Sequence, residues 1–375
     1  RKAAEALKEA RKALANFEQT IPEIMVMQEL EKPKPAYLLE RGSYSARGET
    51  VSAGIPEALQ LEGFGPSKDR RELAEWLVQS PLTARVAVNR HWQILFGEGL
   101  VRTPEDFGSQ GAAPTHPELL EWLAADFVAN GWNVKRLVRL LVTSATYRQD
   151  SALDSDALNR DPENLLLARS HRFRLPAEMI RDQALATSGL LVRDMGGAPV
   201  KPMELAESFK PSAPDSKEDR FRRSLYTYWR RTGPAPVMMA LDAAKRDVCS
   251  AKRERTSTPL QALVLLNDPL MLACAREIAA DALRNNGYSP RALQQAIRSI
   301  FQELTARTPD EEELEILTGL FVSQKERFTG NPDAAALAIS ADGSTPPGDV
   351  PHTELAALTL VTNAILNFDE TVMRR

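Results

Sequence analysis

Apolar residues recur along this chain at helical spacing in one segment after another. Val88, Trp92, Leu95 and Phe96 share a face that ends at Gly97. Leu119, Leu123 and Phe127 form a second stripe, closed by Asn130-Gly131, and Val134, Leu137, Val138, Leu141 and Ala145 a third. A three-to-four-residue apolar period is the signature of a helix with one buried side. The same period predicts helices near residues 176–188, 234–244, 259–285, 290–304, 309–328 and 353–367. Their starts are punctuated. Thr258-Pro259-Leu260-Gln261 reads as a capping box, with Thr capping, Pro in the first turn and Gln reaching back. Thr308-Pro309-Asp310-Glu311 repeats it, and Thr115-His116-Pro117-Glu118 is a variant. Ser80-Pro81, Asp161-Pro162 and Ser289-Pro290 are simpler cap-and-proline starts.

Strand patterns are few. Ser224–Trp229 (SLYTYW) is the best of them, with Met25–Met27 and Tyr37–Leu39 as short alternatives. The pattern therefore predicts a mainly α fold: a multi-helix array with an extended N-terminal wrapping arm and at most a small β element. Residues 1–20 read as a helix continuing from an upstream domain, 21–66 as the arm and 67–375 as the helical body, with a sub-boundary near 193–222. Prolines and glycines from Pro33 to Pro66 exclude a regular helix in the arm. Residues 329–351 read as a flexible polar loop. The apolar run from Leu260 to Ala275 is interrupted by Asn267-Asp268-Pro269, and no run reaches the length of a membrane span.

At 375 residues the chain exceeds what a single core usually supports, and its charge of −4 argues against a general polyanion binder. The charge is uneven. Between Arg220 and Arg255 ten Lys and Arg face three acids, a surplus of seven that leaves −11 for the remainder. The first reading is a cleft for a carboxylate, sulfate or phosphate group, because guanidinium offers a fork to two oxygens. The second, favoured reading is internal ion pairing, with the acidic residues 275–375 as the partner. Aromatic residues are too sparse there for a nucleic-acid surface.

The sharpest single candidate is Arg253-Glu254-Arg255-Thr256-Ser257-Thr258, two guanidiniums and three hydroxyls just before a helix N-terminus. Helix N-termini attract anions through unpaired N–H groups. Arg230, Arg231, Arg253 and Arg255 would clamp the charge, with Thr256 and Thr258 orienting its oxygens. Asp242, Asp247 and Asp268 are the acids that chemistry near this cluster would use.

Other signals are absent. Cys249 and Cys274 form no zinc pattern and no C-x-x-C-H haem-attachment motif, and two buried thiols are favoured over a disulfide. His91, His116, His171 and His352 make no metal-binding helical spacing, and His91 reads as a core or boundary residue. There is no G-x-S-x-G elbow, P-loop or G-x-G-x-x-G. Trp76, Trp92, Trp122 and Trp132 read as packing residues.

Several ordered segments together resemble a known family. They are MVMQEL with PAYLLERGSYSARGETVSAGIPEAL, then RELAEWLVQSPLTARVAVNRHWQILFGEGLV and EDFGSQGAAPTHPELLEWLA. RRSLYTYWRRT, LDAAKRDVCSAKRERTSTPLQALVLLNDP and LTLVTNAILNFDE complete the set. The chain resembles domain of unknown function 1553, a planctomycete-type family, from about Met25 to Glu370. Ser257 departs from the pattern, where Asn is expected between the two threonines. The resemblance implies the C-terminal part of a larger secreted protein, often with an upstream cytochrome c-like module. Haem would belong to that module, so no cofactor is expected in this chain. It carries over no catalytic residues.

The expectation is thus an extracytoplasmic binding or assembly module whose partners are upstream domains of the same polypeptide and an anionic small molecule or polysaccharide. The rivals are a carbohydrate-active hydrolase or oxidoreductase using acids near the basic cluster, and a purely structural domain. No metal, nucleic-acid or membrane-spanning role is expected.

Overall fold

The computed structural model describes residues 2–32, 34–64, 69–152, 155–201, 219–230, 235–246 and 248–374. Two compact units divide the chain, residues 1–84 and 85–375. The first contains α1 (Lys2–Glu18), a hairpin of β1 (Ala36–Leu39) and β2 (Arg47–Val51), and α2 (Arg70–Gln79); α3 (Pro81–Phe96) begins in it. Asp69 caps α2 by accepting from the Glu72 N–H at 2.8 Å. In the hairpin Tyr37 pairs with Thr50 and Leu39 with Arg47, so Tyr37–Leu39 is a strand as expected. Met25–Met27 is not; the run is exposed and forms no strand pairing among the described residues.

The second unit holds the rest of α3, then α4 (Pro117–Ala129), α5 (Val134–Val142), α6 (Ser155–Arg160), β3 (Phe173–Arg174) and α7 (Ala177–Thr187). After these come α8 (Pro236–Ala240), α9 (Pro259–Asn267), α10 (Pro269–Asn286), α11 (Pro290–Thr305) and α12 (Glu311–Gly330). The chain ends with α13 (Pro332–Ile339), α14 (His352–Leu366), α15 (Asp369–Val372) and β4 (Met373–Arg374). The fold is mainly α-helical, and its only sheets among the described residues are two antiparallel pairs, β1–β2 and β3–β4.

Two apolar cores form. The smaller is the expected stripes made solid: Val88, Trp92 and Phe96 of α3 pack with Leu120, Leu123 and Phe127 of α4 and Leu137 and Leu141 of α5. The larger is built around α10 and α14, which pack on each other and on α11, α12 and α13. α14 is buried on nearly every side, the position taken by a helix that is apolar over most of its faces. Its buried hydroxyls are satisfied within the helix, Thr359 donating to the Leu355 carbonyl at 2.7 Å and Thr362 to Leu358 at 2.8 Å.

Several expectations need correcting. Ser224–Trp229 is not a strand: Ser224–Tyr226 is a 3₁₀ turn, pinned because the Ser224 N–H and hydroxyl both donate to Asp182 Oδ1, at 2.8 and 2.7 Å. The expected helix 259–285 is two helices. Pro269 has no N–H to continue the ladder, and Asp268 both ends α9 and caps α10. Residues 332–339 form α13 instead of a loop, with Ala335 and Ile339 buried. Asp310, not Thr308, caps α12: it accepts from the Glu313 N–H at 2.8 Å while Glu313 accepts from its own N–H at 2.9 Å. Asp161 starts no helix and instead takes the Leu165 and Leu166 N–H groups at 2.8 Å each, closing a turn. Trp76 and Trp92 are buried, whereas Trp122 is 55% exposed. Cys274 is buried and Cys249 exposed; both are free thiols.

Candidate functional site

The residues expected to hold an anion surround a carboxylate of the chain itself. α8 ends at Ala240 with Leu241 as its C-cap, and Asp242 follows in the left-handed region at φ 59°, a conformation that Asp tolerates better than most residues. That turn aims its carboxylate at the segment before α9. The Thr256 N–H donates to Asp242 Oδ2 at 2.7 Å and the Thr256 hydroxyl to the same oxygen at 2.9 Å. Gln261 Nε2 donates to the Thr256 hydroxyl at 2.9 Å and to Asp242 at 3.3 Å. Gln261 Oε1 accepts from the Thr258 N–H at 3.3 Å, the reach-back arm of the expected box.

Arg174 of β3 completes the ring. Its Nη2 makes a short contact with Asp242, Nε donates to the Thr256 carbonyl at 3.0 Å and Nη1 to the Leu241 carbonyl at 3.2 Å. Backbone N–H, hydroxyl, amide and guanidinium thus converge on one carboxylate, as they would on a bound anion.

Two of the expected clamps, Arg253 and Arg255, are engaged within the chain. Arg253 forks onto Glu178 in the first turn of α7, Nη1 lying 3.0 and 2.9 Å from its two oxygens. Arg255 donates to the Gly97 carbonyl at 2.9 Å and lies over the Phe173 ring at 4.5 Å. Burial, with the nearby Arg174 guanidinium second, lowers its pKa. Gly97 has a strict role here. Its φ is +90° and an added Cβ would stand 2.6 Å from Phe173, so only glycine admits this approach. Arg230 is half-buried and has an interaction of its own. Arg231 and Asp247 lie outside the described residues.

Other members of the basic stretch are engaged as well. Arg220 meets buried Asp342 at 3.4 Å, and Lys252 meets Glu98 at 3.6 Å. Arg222 donates to the Ala198 carbonyl at 2.9 Å and stacks on Tyr226 at 3.9 Å. Asp342 is where this stretch meets the acidic C-terminal part. Glu313 and Glu370 are taken by Arg307.

The two described candidate acids, Asp242 and Asp268, do not converge with Arg253. Asp242 faces Arg174, while Asp268 lies elsewhere, beside Arg181 in the interior between α7 and α10. Asp268 is 3% exposed, and burial pushes its carboxyl up to about 6, with the Leu270 N–H and Arg181 opposing. Burial also pushes the neighbouring Cys274 thiol up to about 12, which leaves it an inert apolar group. Residues 69–321 match the family model described as PSD1, protein of unknown function (DUF1553), which is more than half of the chain. The chain belongs to the DUF1553 family. No curated protein and no solved structure matches it.

Arg174, Glu178 and Gln261 are the members of this DUF1553 site that sequence reasoning missed or assigned only to capping. No motif marks Arg174, whose partners stand 67 to 82 residues away. His91 is half-buried and shares a 2.8 Å hydrogen bond with the Ala87 carbonyl oxygen, a boundary position. No group of three or more His, Cys, Asp or Glu is placed to hold a metal among the described residues. Nor is any described helix long and apolar enough to cross a membrane.

Because the Arg253 side chain remains 45% exposed, its pair with Glu178 is screened. R253A is expected to cost less than about 1 kcal/mol, read from urea unfolding. A loss several times larger would show that the pair holds α7 in place.

Proposed function

We propose that this chain is a binding or assembly module of a larger extracytoplasmic protein that also carries a cytochrome c-like part. Its working surface is the apolar run around Phe17–Leu30, and the anion position before α9 serves to hold the fold together. The observation that carries the reading is exposure. Phe17 is 64% exposed, Ile24 81%, Met25 103%, Val26 74% and Met27 85%, all in one short segment. Contiguous apolar exposure of this kind marks a docking surface. α1, which leads into it, has no buried residue either.

The anion site supports the same choice. Asp242 stands where an outside carboxylate or sulfate would, so such a ligand must displace an internal partner held by four donor atoms. The resemblance to secreted, cytochrome-linked proteins supports the setting and names neighbouring domains of the same polypeptide as the partner.

Hydrogen exchange tests this. Amides of residues 21–30 are expected to exchange at least about tenfold more slowly in the complete polypeptide than in residues 1–375 alone. M25E/M27E should remove that protection without altering the unfolding midpoint. Equal exchange in both forms would sink the assembly reading.

A further inference from the structure

We propose that the cavity between α7, α8, α9 and α10 is a binding site for one ordered water, which accepts from Arg181 Nε–H and donates to the Asp268 carboxylate. The cavity measures about 20 Å³, and its walls include Ile180, Val237, Met238, Leu265 and Met271 besides the two charged residues. A water needs roughly 10–15 Å³ of such space and two or more polar partners.

Both partners are present and under-used. Arg181 is 7% exposed. Its Nη1 donates to the Arg222 carbonyl at 2.9 Å and the Ser224 hydroxyl at 3.2 Å, and its Nη2 to the Arg220 carbonyl at 2.7 Å. Its Nε–H is buried and finds no acceptor among the described residues. Asp268 accepts the Leu270 N–H at 3.3 Å and the Met271 N–H, and a carboxylate has about four lone-pair sites, which leaves room for another donor. An orphaned buried donor costs about 1–3 kcal/mol, so a polar guest that accepts from Nε and donates to the carboxylate is strongly retained. The space is of the order that one water occupies. Arg181 and the high-pKa Cys274 are the other titratable groups acting on Asp268 or set beside it.

A crystal structure of the whole chain that resolves ordered waters should show one within hydrogen-bond distance of both Arg181 Nε and an Asp268 oxygen. A dry cavity, or Nε turned onto a protein carbonyl, overturns the proposal. V237I tests it in solution by pushing a methylene towards the same space. If water is held there, the variant displaces it, strands two polar groups and lowers the folding equilibrium constant at least about tenfold. If the cavity is dry, the methylene fills a void, and an unchanged or raised stability overturns the proposal.

Discussion

D342A is expected to destabilise the protein by about 3–5 kcal/mol, lowering the urea midpoint with little change in slope. Asp342 joins two segments of the chain through two buried guanidiniums. Its side chain is wholly inaccessible, and Arg276 and Arg220 are 4% and 7% exposed. Arg276 Nη1 donates to Asp342 Oδ1 at 2.8 Å and to the Ile339 carbonyl at 2.8 Å, tying α10 to the end of α13. Arg220 reaches the other oxygen from the loop after α7. The Ser344 N–H and hydroxyl complete the shell at 3.2 and 2.7 Å. Burial alone would push this carboxyl up, but Arg276 and Ser344 together hold it below its ordinary value. Removing it takes the shared buried carboxylate from both cations and leaves Arg276 to Glu277, 2.8 Å from its Nη2, which costs more than the pair contributed when intact. D342N keeps an acceptor for Ser344 and should lose less. A D342A loss below about 1 kcal/mol would mean that water enters and solvates both arginines.

The features legible in the sequence were those decided by near neighbours. Ser289-Pro290 caps α11 as expected because the Ala292 N–H lies three residues along, 3.2 Å from the Ser289 hydroxyl. The three stripes of the smaller core were visible for the same reason. α13 was missed because its alanines at 334–336 and 338 carry little apolar contrast, and its burial comes from α14, not from its own pattern. Ser224–Tyr226 failed in the other direction. Its residues suit a strand, but a side-chain contact to Asp182, 42 positions away, fixes a turn.

The candidate site was half legible on the same terms. Thr256 is hydrogen-bonded to Asp242 beside the Thr258 cap, and the expected pairing with acids of residues 275–375 holds for Arg220 on Asp342 but not for Lys252 or Arg253. Their partners were not foreseeable. Arg253 takes Glu178, 75 positions away, and Lys252 takes Glu98, while the expected glutamates are held by Arg307. A count of charges states how much counter-charge a segment needs; only the fold decides which acid comes within reach.

Asp268 should give the protein a pH dependence of unusual sign. Its folded value of about 6 stands above the ordinary 3.8, so the folded state binds this proton more tightly than the unfolded state does. The protonated, neutral form is the one the buried site favours. Its contribution is therefore fully present below about pH 4 and is lost as pH rises through about 6. A displacement of about two units corresponds to about 3 kcal/mol. Other carboxyls act oppositely: Asp342 and Glu313 are lowered in the fold and lose stability as acid is added. D268N separates the two, because Asn still caps α10 and cannot titrate. Wild type minus D268N should thus become less favourable by about 3 kcal/mol between about pH 4 and pH 8, by urea unfolding at each pH. A flat difference would show that Asp268 is ionised with little penalty, with Arg181 and the α10 N-terminus supplying what burial removes. A difference of opposite slope would place the carboxylate in a true ion pair with Arg181.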